Sequence, residues 1–169
     1  MPADITTELL CESKNGVQVY YDPLHSHATT HFQDTPQLQG LVCKAIAESV
    51  LTKEKEHYEF DFKTTVGTTD LLETTDTDTI MYAKRLNRDN YSRFVLHKQP
   101  APESVITLVL YKNEDTYLLY SAWIGNLTPS FPGAPTATAD SIPFWRKHAL
   151  IWGKQQIQPG SEVVDWPWR

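Results

Sequence analysis

The stretch Ser104–Ile124, SVITLVLYKNEDTYLLYSAWI, decides the fold. Ser104–Tyr111 is almost continuously apolar and β-branched, the composition of a strand buried on both faces. Lys112–Asp115 is a short polar turn. Thr116–Ile124 then returns as the antiparallel partner and stops at Gly125. A central hairpin of this kind needs further strands at its sides and an apolar cover on its face.

The cover precedes it. Thr35-Pro36 is a helix start, with Thr as N-cap and Pro at the first helical position. Leu38, Leu41, Val42, Ala45, Ile46 and then Val50 or Leu51 recur at helical spacing, while Gln39, Lys44, Glu48 and Lys55 take the other side. The pattern predicts one long amphipathic helix over about 36–55, lying across the sheet.

The remaining strands follow from alternation and turns. Val17–Tyr21 follows the turn signal Asn15-Gly16. In His57–Lys63, Tyr58, Phe60 and Phe62 face one way and His57, Glu59, Asp61 and Lys63 the other. Thr64–Thr79 is rich in Thr and Asp and reads as loop, with a short strand at Leu71-Leu72. Within it Gly67-Thr68-Thr69-Asp70 is either a structural turn or an anion-binding backbone turn. Ile80–Arg85 and Tyr91–Lys98 flank a turn at Asn87–Asn90 and form a hairpin. Asp140 and Pro143 open a short helix over about 140–149. The fold class is therefore α+β: a single domain over 1–169 with a mostly antiparallel sheet of about five or six strands. Residues 1–35 form an N-terminal strand and loop region, 129–139 a Pro-rich loop, and 153–169 an extended tail anchored by Trp166 and Trp168.

Composition narrows the function classes. The chain has 169 residues, 40% hydrophobic and 21% charged, which is ordinary for one globular protein. The N-terminal residues lack the basic start and apolar centre of a signal peptide, no apolar run is long enough for a membrane helix, and the chain reads as cytoplasmic. Cys11 and Cys43 make no disulfide framework and read as free thiols, Cys43 as a small buried hydrophobe. Dinucleotide, phosphate-loop, zinc-ribbon, HExxH and GxSxG motifs are all missing, and no cofactor is expected. His25, His27 and His31 would share a face of a strand, but their spacing fits no zinc pattern, so no metal site is expected.

Charge is uneven. Residues 1–80 carry −9, residues 81–98 carry +4 and residues 99–169 carry −1, within a net of −6. The acidic total argues against broad nucleic-acid binding while leaving room for one local anion site. The basic stretch gathers Lys84, Arg85, Arg88, Tyr91, Arg93 and His97, with His57 and His148 as further candidates. Histidine serves as acid or base near neutral pH, and arginine holds phosphate bidentately. Strand parity puts Tyr91, Arg93 and His97 on one face of the hairpin, with Phe94 and Leu96 anchoring the other. The bland alternative is a solvated, charged sheet edge.

The segments VGTTDLLETTDTDTIMYAKRLNRDNYSRFV, SAWIG, FPG, FWRKHALIWGKQQIQPG and WPW occur in an order that resembles a family of uncharacterised bacterial proteins, over about residues 57–169. A weaker likeness is to the small metal-free ribonuclease toxins of the barnase, colicin and RelE type, which set a helix before an antiparallel sheet. That likeness implies His57 or His97 as acid and base, Arg85 and Arg93 as phosphate binders, and Tyr91 stacking on a base. Two readings follow. One is a metal-independent RNA- or phosphodiester-acting protein, with His57, His97 and Arg93 catalytic and Lys84, Arg85, Arg88, Tyr91 and His148 binding substrate. The other is a noncatalytic, immunity- or antitoxin-like protein whose acidic N-terminal half docks a basic protein partner.

Overall fold

The structure, a computed structural model, describes residues 7–24, 32 and 35–168. His25, His27 and His31 lie outside the described residues. In chain order the elements are β1 (Glu8–Glu12), β2 (Gln18–Tyr21), α1 (Gln37–Ala47), β3 (Lys55–Asp61), β4 (Gly67–Thr69), β5 (Leu71–Glu73), β6 (Ile80–Lys84), β7 (Tyr91–Val95), β8 (Ala101–Glu103), β9 (Val105–Asn113), β10 (Thr116–Ile124), α2 (Ser141–Lys147) and β11 (His148–Ile151). The class is α+β. In place of one sheet, the strands form a five-stranded sheet, a four-stranded sheet and a two-stranded pair, β4 with β8. The chain divides into two compact units: 1–67 with 103–127, and 68–102 with 128–169.

The first unit holds the five-stranded sheet, ordered β1-β2-β10-β9-β3, with α1 against it. β9 lies between β10 and β3, and Ile106 through Leu110 are all buried, as a strand covered on both faces should be. Thr107, the polar residue in that run, donates to the Gly125 carbonyl at 2.7 Å, so its burial leaves no unpaired hydroxyl. A bulge between Leu119 and Ser121 resets the alternation of β10. Leu119 and Ala122, three residues apart, therefore both reach the core, and Tyr120 is left outside. The sheet is mixed, because β2 runs parallel to β10.

α1 ends at Ala47, well short of the expected Lys55. The cause is competition from side chains brought in from outside the helix. Asn15 donates to the Leu51 carbonyl and accepts from the Leu51 N–H, and Glu56 accepts the N–H groups of Lys53 and Thr52. Those bonds replace the ones a continuing helix would make. Leu51 turns inward and Val50 is left 59% exposed.

In the second unit the four-stranded sheet is ordered β5-β11-β7-β6, with β11 parallel to β7. The expected helix over 140–149 is shorter, because His148 is already extended and starts β11. Ala149 and Ile151 are buried there. The C-terminal segment runs beside β6: Val163 bridges Tyr82, and Ile157 bridges Arg85. Trp166 and Trp168 both meet the Tyr82 ring edge-on, at 6.0 and 5.3 Å, and anchor the segment as expected. Among the described residues no helix is long and apolar enough to cross a membrane.

Candidate functional site on the β6–β7 hairpin

The hairpin register decides which basic side chains meet. Tyr82 opposes Arg93, Ala83 opposes Ser92, and Lys84 opposes Tyr91. Directly opposed residues share a face. Tyr82, Lys84, Tyr91 and Arg93 therefore lie on one side. Arg85, two residues beyond Ala83, lies on the side of Ser92 and donates its Nε–H to the Ser92 hydroxyl at 3.1 Å. Arg85 and Arg93 thus do not converge on one face.

Arg93 is buried and bonded within the unit. Its Nη1 donates to Thr74 Oγ1 at 2.9 Å and to the His148 carbonyl at 3.0 Å, and its Nε to the Tyr82 hydroxyl at 3.4 Å. It thereby ties together β5–β6, β7 and β11 around the start of β11. His148 meets Arg93 through its main chain. Its ring stacks on Phe144 at 4.0 Å, with Nδ1 2.9 Å from the Phe144 carbonyl. A carbonyl only accepts, so Nδ1 carries the proton and Nε2 keeps the lone pair in the neutral ring.

His97 does not continue the strand. β7 ends at Val95, and His97 is an exposed bend residue with φ of 61°. The parity that was to align His97 with Tyr91 and Arg93 fails for that reason. His57 is exposed on β3, in the first unit, where partial desolvation of its ring and then the Lys55 charge lower its pKa. Gly67-Thr68-Thr69 is strand β4, not a turn.

What remains at the turn end of the hairpin is divided between its faces: Lys84 and Tyr91 on the Tyr82 side, Arg85 on the Ser92 side, and Arg88 in the turn between them. The Lys84 ammonium sits 5.2 Å from the Tyr91 ring centre. The Arg85 guanidinium lies 5.5 Å from the Phe131 ring centre, and Phe131 is itself stacked on Trp145 at 3.9 Å. Gln158 donates to the Arg85 and Arg88 carbonyls and braces the turn. Burial, and then the neighbouring Arg88 charge, pull the Arg85 pKa below its ordinary range. Among the described residues neither arginine has a carboxylate at ion-pair distance. Sequence reasoning missed Phe131, Ser92 and Gln158: their link to Arg85 exists only in three dimensions, and Phe131 sits in a segment read simply as a Pro-rich loop. No cluster of His, Cys, Asp and Glu suited to a metal occurs among the described residues.

Lys98, by contrast, is occupied: its ammonium is 3.0 Å from Asp78. The Thr75 N–H and then Lys98 hold the Asp78 carboxyl below the ordinary carboxylate range. A depressed folded-state pKa stabilises the fold above the unfolded value near 3.8, and that contribution is lost as pH falls through the folded value. Asp78→Asn is therefore expected to lower the urea midpoint at neutral pH, with the gap from wild type closing in acid below 3.8. A gap of constant size at every pH would refute this account.

No protein-family model, no curated protein and no solved structure matches this chain.

Proposed function

We propose that the protein binds the phosphate backbone of single-stranded RNA, or a phosphodiester of the same chemistry, around the turn end of the β6–β7 hairpin, with Lys84 and Tyr91 on one face, Arg85 on the other and Arg88 in the turn between them, and no metal or cofactor required. One observation carries this reading: Lys84, Arg85 and Arg88 gather at the turn end of one hairpin, and no carboxylate among the described residues lies at ion-pair distance from any of them. Cationic groups without a carboxylate partner are stabilised by an anion, and the planar forks of arginine fit phosphate oxygens. The reading stops at binding. Metal-free cleavage needs an acid and a base within reach of the reacting phosphate. His97 follows the end of β7 away from the turn.

The test is fluorescence anisotropy with a labelled single-stranded RNA, read across a salt series. Three phosphate contacts give a slope of log K against log salt of about −2. The triple variant K84A/R85A/R88A is expected to abolish the salt-dependent binding, and the RNA is expected to stay intact throughout. Binding that survives in the triple variant, or no binding by wild type at low salt, would overturn the proposal.

A second reading is favoured by how charge divides. The first unit has six Lys/Arg against thirteen Asp/Glu, net −7, while the second has nine against eight. A basic protein partner would then dock on the first unit. Its binding would be salt-sensitive and unchanged by the K84A/R85A/R88A substitutions, which separates the two readings.

A further inference from the structure

Cys11 lies on β1 and Cys43 on α1, 32 positions apart in sequence. A β-bulge brings them together. The β1–β2 register shifts between Leu9 and Cys11, so Cys11 opposes Val19, where an unbroken ladder would set Leu10. Val19 is fully buried in the core under α1, and Cys11 is turned to that same side. Cys43 sits at the margin of the helix stripe formed by Leu38, Val42, Ala45 and Ile46. In its thiol form Cys43 donates to the carbonyl of Leu10, the bulge residue, at 3.7 Å. Cys11 directly follows Leu10 and faces α1, so the two thiols are neighbours, and both are free and half-buried.

We infer that Cys11 and Cys43 form a dithiol site that a hydroperoxide oxidises to a disulfide joining β1 to α1. Each part of the chemistry has its residue. A thiolate is the attacking form. Hydrogen bonding from Cys11 pulls the Cys43 pKa down to about 7 against the opposing effect of burial. Cys11 is raised, first by the bond it gives to Cys43 and then by burial, so it keeps its proton. Cys43 is thus the attacking sulfur and Cys11 the resolving one.

In the first step the Cys43 thiolate attacks one peroxide oxygen. The O–O bond breaks, hydroxide (or alkoxide) leaves, and Cys43 becomes a sulfenic acid. In the second step the Cys11 sulfur attacks the Cys43 sulfur. The S–O bond breaks, and the departing hydroxide takes the Cys11 proton and leaves as water. In sum, two thiols and one hydrogen peroxide give one disulfide and two waters, with the peroxide accepting two electrons. Because Cys43 Sγ already reaches the carbonyl of the residue before Cys11, bridging requires the two side chains to close to the roughly 2.0 Å of an S–S bond. The inference does not depend on the anion site, which lies in the other unit.

The experiment treats the full-length protein with one equivalent of hydrogen peroxide, then counts free thiols and maps peptides by mass. The expected result is loss of both thiols, a Cys11–Cys43 peptide pair lighter by two hydrogens, and full recovery on reduction. The oxidised form should also melt several degrees higher, because the bridge closes a loop in the unfolded chain. Cys11→Ser is expected to stop at a sulfenic acid on Cys43 that dimedone traps, and Cys43→Ser to leave Cys11 unreacted. Recovery of both thiols unchanged from the wild-type protein, or oxidation of each to a sulfinic acid without a bridge, would overturn the inference. The wild-type map decides between these outcomes even if a serine variant fails to fold.

Discussion

Phe131→Ala is expected to destabilise the second unit by about 3–4 kcal/mol, the range for removing a buried aromatic ring. Phe131 is 8% exposed and stacks on Trp145 at 3.9 Å and Trp168 at 6.2 Å. Truncation leaves a void that those large flat neighbours cannot close by small shifts. It also strips the platform beneath Arg85. The same substitution is therefore expected to weaken RNA binding beyond what stability explains. Phe131→Leu separates the two effects. It keeps most of the buried volume and so most of the stability, while still losing the cation–π contact, about 0.5–1 kcal/mol for a partly exposed pair. Urea unfolding followed by tryptophan fluorescence is the right readout, because Trp145, Trp152, Trp166 and Trp168 belong to the second unit and only Trp123 to the first. A midpoint for Phe131→Ala close to wild type would show that the stack carries little of the unit's stability.

The parts of this fold that sequence made legible are those set by local periodicity. Ser104–Ile124 reads as a buried hairpin because its β-branched run and polar turn are local facts, and β9 and β10 follow it closely. The start of α1 was legible to within a residue: Pro36, not Thr35, takes the N-cap position, the helix begins at Gln37, and no side chain caps it. Its end was hidden, because Asn15 and Glu56 stop the helix from outside it. β11 was missed because four residues after a helix give too short a pattern to separate from the helix itself. The candidate site divides in the same way. A charge cluster is visible in sequence, so Lys84, Arg85 and Arg88 stand out there as candidates. Whether an arginine is exposed or built into a core is a matter of packing, and alternation alone could not tell Arg85 from Arg93. The expected alignment of His97 assumed the strand ran to Lys98, whereas the positive φ at His97 ends the alternation first.

Arg93→Met is expected to cost the second unit about 3 kcal/mol and to leave RNA affinity within about twofold of wild type, because its hydrogen bonds serve the fold. Methionine restores much of the apolar stem but none of the donors. The His148 carbonyl and the Thr74 hydroxyl then lose the guanidinium that joins them, and the Tyr82 hydroxyl loses its contact with Nε. Each buried acceptor left unmade costs about 1–3 kcal/mol, less whatever local water recovers. Arg93→Lys keeps the charge but has no planar fork, and one ammonium cannot reproduce donation from both Nε and Nη1. It is expected to fall between Met and wild type in stability. For a protein of this size, 3 kcal/mol corresponds to a Tm lower by about 6–12 °C. The informative comparison is with K84A/R85A/R88A. That triple variant should lose binding with a smaller drop in Tm, from the lost Arg85–Ser92 and Arg85–Phe131 contacts, while Arg93→Met should lose more Tm and keep binding. If Arg93→Lys instead melts like wild type and loses RNA binding, Arg93 contacts the ligand, and the site extends from the turn into the face shared with Tyr82.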